Sequence, residues 1–264
     1  DGSSGRFVHG IASGDPLSDR VIIWTRLTPD TDGPVSVRWE VADTEGFTEL
    51  THDGSATVDE STDYTLKVDV ADLQPGSTKY YRFRSGANVS PVGRCRTSPV
   101  GAIDSLTFAV VSCANYSFGF FHAYREVAER DDIDVVLHLG DYIYEYAPYD
   151  GKSTRVRTHL GEETFSLDDY RNRYALYKLD ADLQAMHASA PFIATWDDHE
   201  IDNDWAAEFN ETNTPPEIFR LRRAAAFQAY YEAMPLRRSS LPAAGHLQLY
   251  RQLQFGQLMS VNVL

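Results

Sequence analysis

Residues 195–205 read TWDDHEIDNDW, in which Asp197, Asp198, Glu200, Asp202 and Asp204 surround His199 and Asn203 between two tryptophans. Carboxylates packed this densely repel one another unless a cation neutralises them or one takes up a proton. A solvated acidic turn is the plain alternative. Two other places in the chain bear on the choice: Cys113 follows the apolar run FAVVS, and Asp141 and Tyr144 follow VVLHLG. An aspartate set between two cations can bridge them with one oxygen for each. A tyrosine three residues later can reach the same metal from the next turn of the loop. Phenolate or thiolate ligands favour a strongly acidic ion such as Fe(III), whereas carboxylate and amide oxygens suit Ca²⁺ or Mn²⁺.

The elements that must hold these residues fall into two parts. Residues 6–98 read as all-β: RVIIWTRL, VSVRWEVA and TLKVDV alternate or run apolar at strand length between Asp, Gly, Pro and Ser turns. DLQPGSTKYYRF, with Leu73, Pro75 and Tyr81, has the pattern of a tyrosine corner, so residues 1–98 are expected to form a fibronectin type III-like sandwich. RTSPVGAID carries linker signals centred on residues 99–103. From residue 104 onward strands alternate with helices: SLTFAVVS, FFHAYREVAER, DIDVVLHLG, helices near 168–177 and 180–190, PFIATW, and a longer helix over 216–232. That alternation implies a mainly parallel, covered sheet. In such sheets the functional crevice lies at the carboxyl ends of the strands. Cys113, Asp141 with Tyr144, and Asp198 with His199 each follow one such end, so the three clusters are expected to meet.

The net charge of −15 argues against the cationic face that nucleic-acid binding needs, and no nucleic-acid partner is expected. It does not argue against a phosphate ester in a metal-lined pocket, where bound ions reverse the local field. No apolar run is long enough to span a bilayer. Asp1 stands first and DGSSG reads as a mature terminus, so a leader is expected to have been removed from a secreted protein. Cys95 and Cys113 fall in different parts, and no disulfide is expected between them.

GDYIY at 140–144 resembles the GD-x-x-Y step of metallophosphatases related to purple acid phosphatases, and DDHE at 197–200 stands where that superfamily has GNHE. Together with SCAN at 112–115 and the preceding sandwich, the chain resembles the alkaline phosphatase D-like metallophosphoesterases from about Phe7 to its end. The resemblance implies an α/β metallophosphatase domain over 104–264, with covered sheets and flanking helices, incomplete at its C-terminus. It implies Fe³⁺ on Cys113, Asp141 and Tyr144, with Asp141 bridging to Ca²⁺ or to another divalent ion such as Mn²⁺, Zn²⁺ or Mg²⁺. Asp198 takes the place of the superfamily's metal-binding Asn, Asn203 is a further oxygen ligand, and His199 donates to a phosphoryl oxygen or leaving group. The metals would stabilise the phosphoryl oxygens and generate the attacking hydroxide.

The expected function is phosphoester hydrolysis, with a phosphate monoester, a diester or a phospholipid as substrate. The alternative is a non-catalytic cation-binding or adhesion module built on the fibronectin-like part. The family also brings His and Asp ligands from sequence beyond Leu264, and LMSVNVL ends as an apolar strand. The C-terminal remainder is therefore expected as a second polypeptide docked beside 245–264.

Overall fold

The computed structural model describes residues 3–148, 155–241 and 246–264. The first part of the chain contributes β1 (Gly5–Arg6), β2 (Ile11–Gly14), β3 (Val21–Arg26), β4 (Thr28–Pro29) and β5 (Val35–Ala42). It continues with β6 (Leu50–Val58), β7 (Thr65–Val70), β8 (Thr78–Ser85), β9 (Asn88–Val89) and β10 (Gly93–Arg96). The second part runs β11 (Phe108–Val111), α1 (His122–Ala128), β12 (Val135–His138), α2 (Leu167–Lys178), α3 (Ala181–Ser189) and β13 (Phe192–Ala194). It ends with α4 (Pro216–Ala233), β14 (Arg251–Phe255) and β15 (Met259–Val263).

Two sheets pack around the first core. One has the order β10-β8-β5-β6, and the other runs β11-β12-β13-β2-β3-β7. Their facing residues include Ile11, Ile23 and Val70 from the second sheet and Val37, Val58 and Phe83 from the first. The six-stranded sheet crosses both parts of the chain: β13 pairs parallel with β2 at Phe192 and Gly14. The Trp24 indole on β3 adds a hydrogen bond of 2.8 Å to the Glu232 carbonyl on α4. A sandwich standing beside a separate sheet is therefore too simple a picture, because strands of the first part extend the sheet of the second. Tyr81 is fully buried, with the hydroxyl end of its ring against Gly93. Among the described residues it makes no hydrogen bond back to the Leu73–Pro75 backbone, so the tyrosine-corner contact is not formed.

Strands β11, β12 and β13 are adjacent and parallel. Alternation along β12 sends Val136 into the helix-side core with Tyr142, Tyr174, Phe192 and Phe227. It sends Val135 to the opposite face, against Ile193, Leu253, Phe255 and Val263. The two-stranded β14–β15 sheet thus covers the face that the helices leave open. Helix ends follow local chemistry. Ser166 and Asp169 close a capping box on α2, Asp180 accepts from two backbone amides at the start of α3, and α4 begins on Pro216.

Candidate metal centre

Because β11, β12 and β13 run in the same direction, the loops that follow them leave from one edge. Backbone bonds lace these loops together: Cys113 N–H to the Gly140 carbonyl at 3.2 Å, Ala114 N–H to the Asp141 carbonyl at 3.1 Å, and Thr195 N–H to the His138 carbonyl at 3.0 Å. Cys113 and Asp141 both sit in the left-handed region, at φ 58° and 54°. Such positions cost about 1–3 kcal/mol each and persist where the surroundings fix them. Gly140 (φ 111°) lies so close to the third loop that a Cβ there would stand 2.3 Å from the Asp197 nitrogen. The glycine of GDYIY is what lets the second and third loops touch.

This contact assembles the site. Ligand atoms of Asp141, Asp198 and His199 lie within 4.8 Å of one another. Asp141 is buried; its Oδ2 accepts from the Tyr144 hydroxyl at 3.0 Å, while its Oδ1 is buried with no hydrogen-bond partner. A buried carboxylate oxygen without a partner is strongly unfavourable, and a cation removes the penalty. One oxygen of Asp198 accepts from the Asp204 backbone at 2.7 Å, which fixes the side chain. The donor set fits a metal ion.

The electrostatics agree. Burial, then the charges of Asp141 and Asp198, raise the Asp197 carboxyl. Burial, then the Asp141 carboxylate, push the Tyr144 phenol up. Burial alone would lower His199, but its hydrogen bond to Glu145 and the charges of Glu145, Asp141 and Asp198 outweigh that and raise it to about 9. The Tyr144 ring lies 4.2 Å from the His199 ring. Cys113 is a free, exposed thiol that lines the same cavity as Tyr144 but stands outside the three-residue cluster. Asn203 directs its carboxamide nitrogen to Glu211 at 2.8 Å, and its backbone N–H meets Glu145 at 2.9 Å.

A family model described as PhoD-like phosphatase matches residues 108–264, and one for the N-terminal domain of PhoD-like phosphatases matches residues 1–99. The chain belongs to the PhoD-like phosphatase family. Within that family it is 47% identical to alkaline phosphatase D of Bacillus subtilis (strain 168), over 99% of this chain and 47% of that protein. A solved structure of PhoD superposes with a TM-score of 0.94 at 46% identity, covering 99% of this chain and 52% of that one. The chain spans about half the length of these relatives.

Sequence reasoning missed two residues that shape the centre of this PhoD-like chain. Glu145, its side chain 1% exposed, accepts from His199 Nδ1 at 2.8 Å and from the Asn203 backbone. Glu200 is fully buried and accepts from the Tyr142 and Asp197 backbones at 2.6 and 3.0 Å, tying the second loop to the third. Burial raises Glu200 to about 7. Asp202 is structural: it pairs with Arg222 at 3.0 Å and accepts from Asn210 at 2.6 Å. Arg157 pairs with Asp180 at 2.5 Å, and buried His159 bonds the Tyr146 carbonyl at 2.8 Å, so both serve packing. His122 pairs with Asp182 away from the centre. His138 is fully buried, accepts from Gly140 N–H at 3.3 Å, and is lowered to about 3 by burial and then by Lys178.

Proposed function

We propose that the protein is a metal-dependent phosphoester hydrolase acting at the Asp141 cluster. The observation that carries this reading is the unpartnered, buried Oδ1 of Asp141, within reach of Asp198 and His199 at the carboxyl edge of a parallel sheet. Membership of the PhoD-like phosphatase family supports it. Asp141 would be the carboxylate that holds the cations. Cys113 and Tyr144, which share a cavity, suit Fe³⁺ on one side of it, and Asp198 with the carboxamide oxygen of Asn203 suits Ca²⁺ on the other. Cations there would reverse the field that pushes the Tyr144 phenol up. When bound, they would polarise the ester and acidify the attacking water.

The residues of the chain do the rest. Glu145 takes the Nδ1–H of His199, which leaves Nε2–H as the atom that can meet the phosphoryl group. As the water oxygen bonds to phosphorus, the bond to the leaving-group oxygen breaks, and His199 hands that oxygen its Nε2 proton. The water's proton passes to solvent, and His199 is reprotonated for the next turnover. The Glu145 carboxylate against Nδ1 favours the charged form of His199. The substrate class is a phosphate monoester or diester.

The reading is tested by measuring bound metal together with turnover of p-nitrophenyl phosphate and bis-p-nitrophenyl phosphate, before and after exhaustive chelation. Turnover that disappears with the metal and returns on adding it back is the expected result. Undiminished turnover without metal would sink the reading. A cation-binding or adhesion module would bind metal and hydrolyse neither ester.

A further inference from the structure

Beside the metal cluster lies an open cavity of about 390 Å³ whose walls include Cys113, Asn115, Phe118, Phe120, Phe121 and Tyr144. Two of these residues belong to the centre, since Tyr144 bonds Asp141 and Cys113 is laced to Gly140. The others bring a different chemistry. Phe118 and Phe120 are 65% and 59% exposed, an unusual state for two large apolar rings so close together. They are nonetheless held in place. The Arg155 guanidinium stands 4.3 Å from the Phe118 ring centre, and Phe120 stacks on His122 with ring centres 5.6 Å apart. Arg157, anchored by Asp180, lies over Tyr116 and Phe121 at 3.8 and 4.5 Å. The turn beneath is closed by Ser117 N–H to Asn115 Oδ1 and Phe118 N–H to the Asn115 carbonyl.

Building on the phosphoesterase reading, we infer that this aromatic bowl is the subsite for the ester arm of the substrate, and that it selects an apolar, preferably aryl, arm over a hydrophilic one. The phosphorus must sit at the Asp141 cluster, so an arm on one of its oxygens that passes Tyr144 enters the bowl directly. The cavity has the size of a small-ligand pocket. Covering an exposed phenyl ring with apolar surface is worth a factor of about ten or more in affinity. A hydroxylated arm such as glycerol gains little from the same surface. The rings therefore act on specificity, through contact with the arm and not with the reacting atoms.

The test compares phenyl phosphate with glycerol 3-phosphate on the metal-loaded protein and on its Phe118→Ala and Phe120→Ala variants. Binding of phenylphosphonate and methylphosphonate is measured by calorimetry alongside. The wild type should bind phenylphosphonate about tenfold more tightly than methylphosphonate. Each variant should lower the phenyl-to-glycerol ratio of kcat/KM several-fold and narrow the gap between the phosphonates by the same factor. Loss of activity towards both esters in equal proportion, together with a lowered Tm, overturns the inference, because the rings then pack against protein. An unchanged ratio overturns it as well. If the wild type hydrolyses neither ester, the phosphoesterase reading fails by itself; the phosphonates still test the bowl, and equal affinity for the two removes it.

Discussion

Glu145 holds the Nδ1–H of His199 at 2.8 Å from a position where its own side chain is 1% exposed. A carboxylate this deeply buried beside an imidazole fixes the tautomer and ring orientation and favours the charged form. The same carboxylate accepts from the Asn203 backbone, so one residue ties two points of the third loop to the second.

Glu145→Gln should therefore move a pH profile, which lost packing alone would not do. His199 donates only when protonated, so activity falls as pH rises through its pKa, which the Glu145 hydrogen bond and charge raise. Without the Glu145 charge that pKa drops by about one unit or more, and the alkaline limb of kcat should shift to lower pH by the same amount. A profile that keeps its alkaline limb in place would show that His199 does not act as the donor.

Asp141→Asn should abolish metal binding and lower turnover by at least about 10³-fold, since a neutral amide cannot balance two cations. His199→Ala should keep its metal and lose about 10²–10⁴-fold in rate, the usual worth of a positioned proton donor. Elemental analysis of both variants beside kcat separates the roles. Metal loss in His199→Ala would make His199 a ligand.

How far these assignments could be read from sequence depended on how a residue announces its environment. Strand–turn–helix periodicity marked β11, β12 and β13, and the polar residues just beyond each one met as the parallel topology requires. Glu145 carried no such mark. In GDYIYEY it looks like any surface acid, and only the fold reveals that it points inward to His199 and Asn203, on one loop 54 and 58 residues later. The junction of the two parts was equally hidden. Strand β2 is IASG, short and small-sided, because Gly14 must pass close to the Pro235 and Phe192 carbonyls, and this erases the apolar alternation that betrays a strand. Strand β6, LTHDGSATV, is largely solvent-facing at the edge of its sheet and so has no apolar face to show.

Gly140→Ala should be among the most damaging single-methyl changes in the chain. The residue sits at φ 111°, outside the range an L side chain adopts easily, and the new Cβ would meet the Asp197 nitrogen at 2.3 Å and the Trp196 carbonyl carbon at 2.6 Å. Backbone on both sides of the clash leaves no flexible side chain to yield. We expect a loss of roughly 3 kcal/mol or more, read as a lower urea midpoint, together with weakened metal binding as the second and third loops part. A midpoint equal to that of the native protein would mean that the loops do not touch here.

Lys178 supplies a stability test independent of the metal. It is fully buried, its ammonium 4.2 Å from the Trp24 ring centre and donating to the Tyr142 hydroxyl at 3.1 Å, with no carboxylate in ion-pair contact among the described residues. Burial lowers it from 10.5 to about 7. Between those values the unfolded chain carries a proton on this lysine that the folded chain releases, so its contribution makes stability rise with pH across the window. Below about pH 7 both states are protonated, and the full cost of burying the charge is present, on the order of a few kcal/mol. Lys178→Met keeps the apolar stem and removes the charge, losing about 1 kcal/mol with the hydrogen bond to Tyr142. Urea unfolding at pH 6.5 should find the variant more stable than the native protein. At pH 9.5 the advantage should shrink or reverse, because native Lys178 is then neutral when folded and holds its hydrogen bond without the desolvation cost. A difference between the two proteins that stays constant across this range would show that the buried lysine keeps its proton, with the Trp24 and Tyr142 rings compensating for the lost water.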